Sequence, residues 1–163
     1  MNRSVSDSRK YFPVLALLVL LALVSATAVA QTSGFVGTWK LNVEKSKYEP
    51  GPPPKEQSRT WDAAGKVDVQ GTDASGKPRQ YGYTVNLDGK EYPATGEIPN
   101  GADTVVSKRV DQNTIESNFT RAGKHVETAR FILSEGGKVM TLTAKGVTPS
   151  GVHYNTVARM EKQ

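Results

Sequence analysis

From Gly34 to the end of the chain, apolar and polar positions alternate in short segments, and no stretch sustains a helical repeat. The segments recur about every 8 to 14 residues and each is closed by turn-forming residues, the pattern of a sandwich or barrel. Val36–Val43 opens the series, with Trp39, Leu41 and Val43 on one face and Thr38, Lys40 and Asn42 on the other. Glu49-Pro50-Gly51-Pro52-Pro53-Pro54 then breaks the pattern. Proline cannot donate to a strand ladder, so this stretch is expected to cross one end of a barrel as a stiff connection. It also stands as a candidate protein-recognition segment.

Lys55–Asp62 and Lys66–Thr72 read as a hairpin around Ala63-Ala64-Gly65. Gly76-Lys77-Pro78 turns the chain into Arg79–Leu87, where Tyr81, Tyr83, Val85 and Leu87 share a face. Asp88-Gly89 is a hairpin signal, because glycine supplies the positive φ that primed turns need. Lys90–Ile98 is interrupted by Pro93 and Gly96 and is expected to be irregular or edge-like. Thr104–Asp111, Thr114–Arg121, His125–Leu133, Lys138–Val147 and Val152–Glu161 read as five consecutive strands. Their short connections suit only antiparallel neighbours. An array of this kind closes on itself to remove the edges that invite aggregation. The expected fold is all-β, a small antiparallel up-and-down (meander) barrel of about eight to ten strands.

The chain before this array has a different character. Arg3, Arg9 and Lys10 precede an apolar run from Val14 to Val24, which ends in small residues through Ala28-Val29-Ala30. Ala28 and Ala30 stand in the −3 and −1 relation of a cleaved export signal. The competing reading is an uncleaved anchor, although the strongly apolar core falls short of the roughly 20 residues that span hydrocarbon. The expected division is a signal peptide over 1–30 and one barrel domain over 31–163. The expected location is periplasmic or secreted, with no stable membrane insertion after cleavage.

Composition narrows the remaining classes. There is no cysteine, so disulfides and a lipid-modified cysteine are both excluded, and the fold relies on its apolar core. The formal net charge of +5 falls to +3 once Arg3, Arg9, Lys10 and Asp7 are set aside. The remaining charges are interspersed, without the basic, aromatic-rich stripe of a nucleic-acid binder. No nucleic-acid partner is expected.

Gly34-Phe35-Val36-Gly37-Thr38-Trp39-Lys40-Leu41 resembles the opening strand of the lipocalin and fatty-acid-binding protein superfamily, the calycins. The matching motif is Gly37-Thr38-Trp39. The resemblance implies that Gly37 and Trp39 close one end of the barrel and that a small lipophilic molecule occupies the interior. Two departures limit what it implies about function. The helix-turn-helix lid of fatty-acid-binding proteins has no counterpart, since Ser46–Pro54 is too short and too rich in proline. The Arg-x-Tyr ligand clamp of the last strand is also displaced, because Arg159 falls one position off register and Met160 replaces the tyrosine.

The chemistry within the domain is sparse. The two histidines, His125 and His153, lie near turns, and no nucleophile motif, carboxylate pair or metal-ligand cluster accompanies them. No catalytic residue, metal or cofactor is expected. Candidate ligand-binding residues are Arg109, Arg121, Arg130 and Arg159, each sharing a face with apolar residues, together with Tyr81 and Tyr83. Pointing inward, the guanidiniums would require an anionic partner to offset desolvation. The opposite faces are equally good cores on two strands: Ala129, Phe131 and Leu133, and Met140, Leu142 and Ala144. If those face inward, Arg130 stands in water. Two functions remain open at this point: an exported, non-catalytic carrier of a small apolar or amphipathic ligand, or a filled barrel serving the cell envelope as a structural or protein-interaction module.

Overall fold

The computed structural model describes residues 32–163; the expected signal peptide over 1–30 lies outside the described residues, as does Gln31. A short 3-10 turn at Ser33–Phe35 leads into ten strands. These are β1 (Gly37–Glu49), β2 (Glu56–Trp61), β3 (Lys66–Thr72), β4 (Pro78–Thr84), β5 (Glu91–Gly96), β6 (Thr104–Asp111), β7 (Thr114–Arg121), β8 (Lys124–Ser134), β9 (Val139–Val147) and β10 (His153–Lys162). Every neighbour is antiparallel and follows chain order, and β1 pairs with both β2 and β10 to close the barrel. The fold is the all-β meander barrel that the alternation pattern predicts, closed up-and-down through all ten strands.

Two segments depart from expectation. β1 does not stop at Val43 but runs on to Glu49 through a break in register against β10 between Asn42 and Lys47. Side chains bridge this bulge. Ser46 Oγ donates to the Asn42 carbonyl at 2.6 Å, and accepts from the Arg159 N–H at 2.9 Å. Such a bulge bends a strand and increases its twist, which carries β1 the full height of the wall.

The second departure is β5, a true strand where an irregular edge was expected. It holds three residue pairs with β4 and three with β6, so the circuit closes there through its shortest ladders. Gly96 makes this possible. It has φ +85°, and a Cβ there would lie 2.8 Å from Tyr81 Cα.

The inner faces of the strands differ between the two ends of the barrel. The lower end, where β1 begins and β10 finishes, is packed solid. Trp39, Trp61, Phe35, Phe131, Met140, Met160, Ile115 and Val67 are all buried there. Trp39 Nε1 donates to the Phe35 carbonyl at 2.8 Å, and Lys162 Nζ lies 5.1 Å from the Trp39 ring centroid. Phe35 and Phe131 each pack on Trp61, with centroids 5.4 and 5.2 Å away. Gly37 sits at φ +133°, and a Cβ there would meet Lys162 Cε at 2.9 Å, so the strand can start only with a glycine. The upper end, where the proline stretch crosses, is not filled.

Candidate functional site

Above the aromatic floor a cavity of about 520 Å³ opens to the upper rim of the barrel. Pro50, Pro52 and Pro54 line its mouth, facing Ala74, Pro99 and Val152 from other connections. Inside, Phe119, Phe131, Leu142 and Ala144 supply an apolar lining. The interior is therefore of the size and mixed lining typical of small-molecule sites. A second concavity on the outside of β1–β4 is lined by exposed polar residues such as Thr38, Lys40, Gln70 and Gln80, and holds no buried charge.

Arg59 is the central polar group of the inner wall. It is placed on β2 opposite Val69 of β3 and shares a face with Trp61, so the β-alternation that buries Trp61 also turns Arg59 inward. Only 3% of it is exposed. Nη1 donates to the Tyr83 hydroxyl, and the guanidinium carbon lies 5.3 Å from the Phe131 ring centroid and 5.8 Å from that of Tyr83. Nε is buried with no hydrogen-bond partner. Burial works against its charge, but Tyr83, Tyr81 and Glu127 more than offset that and hold its pKa above the ordinary arginine value.

A second polar cluster faces the same space from β8 and β10. Glu127 Oε2 accepts from Asn100 Nδ2 at 2.8 Å and from the Tyr154 hydroxyl. Glu127 retains some accessible surface, and as a lining residue it presents that surface to the cavity. Burial raises its carboxyl pKa above the usual range, against the opposing pull of the Tyr154 and Asn100 hydrogen bonds, Arg59 and His125. Asn100 is itself fixed in place. Its Oδ1 accepts from the Ala102 N–H at 2.8 Å, and its carbonyl accepts from Arg121 Nη1 at 2.9 Å.

Three tyrosines complete the wall. Tyr81 accepts a 3.3 Å hydrogen bond from Gln57 Nε2, and Tyr83 stands edge-on to Phe119 with centroids 5.1 Å apart. Burial raises the pKa of both phenols. Tyr48 near the mouth is pushed up to about 12, again chiefly by burial. All three phenols are therefore neutral donors and acceptors at physiological pH. The arrangement offers one guanidinium, one carboxylate and several hydroxyls above an apolar body, a chemistry suited to holding an amphipathic molecule in one orientation.

The sequence-predicted residues distribute unevenly around this space. Tyr81 and Tyr83 line the cavity. The four arginines do not converge on it. Arg109 caps the β6–β7 turn at the closed end, with Nη1 donating to the carbonyls of Asp111 at 3.1 Å and Gln112 at 2.8 Å. Arg121 supports the Asn100 loop from outside the lining. Arg130 lies on the outer face and donates from Nε to Glu116 Oε2 at 2.8 Å. Arg159 also points outward and pairs with Glu135 and Glu161. The physical reason is the choice of face: Ala129, Phe131 and Leu133 on β8, and Ala158 and Met160 on β10, take the interior. Arg109 and Arg121 have the inward parity but stand at strand ends, where long side chains reach out to turn carbonyls.

Arg59, Glu127, Asn100 and Tyr154 went unrecognised in the sequence. For Arg59 the available signal was the spacing Arg59-Thr60-Trp61, which puts the guanidinium on the face of a tryptophan. Glu127 lies two positions before Ala129 on the apolar face of its strand, a parity the sequence shows once that face is known to be inside. Among the described residues, no group of three His, Cys, Asp or Glu side chains could hold a metal ion. His125 is exposed, with Nε2 2.9 Å from Thr128 Oγ1.

No family model matches the chain. No curated protein matches it either. Among solved structures it is similar to the ileal bile acid-binding protein of zebrafish, determined with cholic acid. The identity is 11%, the match covers 80% of this chain and 98% of that one, and the TM-score is 0.45. At that distance the similarity says nothing about what this cavity holds.

Proposed function

We propose that this chain is an exported, non-catalytic binding protein for a small apolar or amphipathic ligand. The observation that carries the reading is the cavity of about 520 Å³, open at the proline-lined rim and closed below by Trp39 and Trp61. A barrel serving only as a scaffold has no need of a buried guanidinium beside an unfilled space, because burying such a group without a full set of partners costs stability. Export is supported by the basic, apolar and small-residue order of residues 3–30.

The direct test is thermal unfolding of the purified protein against fatty acids, sterols, haem and neutral apolar compounds. A ligand at about 100 times its dissociation constant adds roughly 2.7 kcal/mol of stability. A clear shift with one class supports the carrier. A cooperative melt that no compound shifts rejects it in favour of an envelope interaction module without a small-molecule ligand.

A further inference from the structure

The two charged groups of the cavity do not satisfy each other. Arg59 stands on β2 and Glu127 on β8, and three strands (β1, β10 and β9) separate them along the shorter way round the barrel. They are therefore carried on well-separated walls of one space. Each feels the other's charge. Yet Glu127 is bonded to Asn100 and Tyr154, Arg59 to Tyr83, and neither bonds to the other.

Each group also retains unused capacity. Arg59 Nε is buried and unpartnered. Glu127 takes both of its protein donors on Oε2, so Oε1 receives no donor among the described residues. Between the level of Arg59 and Phe131 and that of Glu127 and Tyr154, the wall carries Ala129 paired with Ala144, the smallest chiral side chains available. That pair leaves room where a larger residue would fill the gap between the charges.

Resting on the reading of this cavity as a ligand site, we propose that Arg59 and Glu127 form a two-point anchor. The anchor selects a ligand whose head carries both an anionic group and a hydroxyl or amine donor, over a plain alkyl acid. The anion meets the Arg59 guanidinium, where a charge-assisted hydrogen bond forms in a water-poor site. The donor meets Glu127 Oε1. A plain acid satisfies Arg59 but brings no donor to Glu127 Oε1. The apolar body lies against Phe119, Phe131 and Leu142.

Ten-carbon probes separate these terms. Displacement of the neutral dye Nile red from the purified protein is measured with decanoate, 1-decanol, 3-hydroxydecanoate and 5-hydroxydecanoate. At least one hydroxy acid is expected to bind about tenfold more tightly than decanoate, the worth of one added buried hydrogen bond. Glu127→Leu removes the acceptor altogether, so the preference for the hydroxy acid should collapse to within about threefold. Glu127→Gln, whose amide N–H₂ can donate to the same ligand hydroxyl, should keep part of it. Arg59→Met should abolish the preference for decanoate over 1-decanol. Decanoate binding as tightly as both hydroxy acids overturns the anchor while leaving the carrier reading intact, as does Nile red binding that no acid displaces. Failure of Nile red and every ten-carbon probe to bind overturns both.

Discussion

The two ends of this barrel follow opposite rules. The lower end is filled by large apolar side chains, and its polar atoms are mostly paired internally: Trp39 Nε1 reaches the Phe35 carbonyl, and the Ser107 and Ser117 hydroxyls meet at 2.8 Å. Among the described residues, buried donors left unpaired there include the Trp61 indole N–H, on a ring edge-on to Phe131. The upper end trades apolar filling for charge. It holds Glu127 beside open space, with Arg59, the cross-strand partner of Trp39, standing where the plug meets the cavity, and tyrosines whose phenols are kept neutral by burial. The lesson is a division of labour along one set of strands. The same alternation that builds a plug at one end presents a polar wall at the other, so stability and recognition should respond to different mutations.

The largest effect is expected at the plug. Truncating Trp39 or Trp61 to alanine should cost about 3–5 kcal/mol, through lost burial and the cavity left behind. That is a large fraction of the stability of an ordinary domain, and chemical denaturation read by far-UV circular dichroism will show it. A loss below about 1 kcal/mol at both positions would mean that the lower end does not govern stability.

Arg59→Met sharpens the contrast. Arg59 is bonded to no carboxylate among the described residues, so the substitution leaves the Tyr83 hydroxyl without its donor, a cost of about 1–3 kcal/mol. It also removes the larger desolvation penalty of a buried, incompletely partnered guanidinium. The variant should therefore melt at or above the wild-type temperature while losing affinity for anionic ligands. Substantial destabilisation would make Arg59 part of the scaffold and erase the distinction between the two ends.

The Glu127 prediction concerns pH and is smaller. Its folded-state pKa is raised, so between the ordinary carboxylate value and that raised value the folded protein binds more protons than the unfolded chain. This contribution is fully present below the unfolded pKa and is lost as pH rises through the folded one. Asp73 works in the opposite sense. The hydrogen bond from the Ser75 hydroxyl and backbone N–H groups hold it at about 2, so its contribution disappears as pH falls through that range. Melting Glu127→Gln beside the wild type from mildly acid to neutral pH isolates the first term. The variant should gain relative stability as pH rises, and a difference independent of pH would place Glu127 outside the buried wall.

How much of this was legible in the sequence depended on whether a segment advertised its own inner face. β4 and β6 to β10 carry clean alternation with glycine-bearing or polar turns, and their expected spans hold to within one or two residues except at the end of β4. β5 was obscured because Pro93 and Gly96 weaken strand propensity locally, while closure of the barrel supplies partners on both sides. The extension of β1 depends on a bulge bridged by Ser46, a contact with β10 far along the chain. The cavity was hardest to see. Tyr81 and Tyr83 could be identified because two tyrosines alternate with an apolar face. Arg59 sits in Glu56–Trp61, where only Trp61 is strongly apolar, so nothing local distinguished a buried arginine from a surface one. The arginines beside apolar residues were ambiguous for the converse reason: on β8 both faces are partly apolar, and only the neighbouring strands settle which turns inward.

Arg130 gives the smallest effect and the clearest negative control for that ambiguity. It lies on the same strand as Glu127 but with the opposite parity, pairing on the outer face with Glu116, which Lys108 also approaches at 2.9 Å. Hydrogen bonds from Lys108 and Arg130 hold the Glu116 carboxyl below its ordinary pKa. Because Lys108 remains when Arg130 is removed, Glu116 keeps a cationic partner and no charge is stranded. Arg130→Ala should therefore cost no more than about 1 kcal/mol, the range of exposed ion pairs, and the cost should shrink in high salt. Ligand affinity should not change, because the side chain is on the far side of the wall from the cavity. A loss of binding in Arg130→Ala with stability preserved would show that the outer face of β8 takes part in recognition. The assignment of binding to the interior would then have to be redrawn, beginning with which face of β8 meets the ligand.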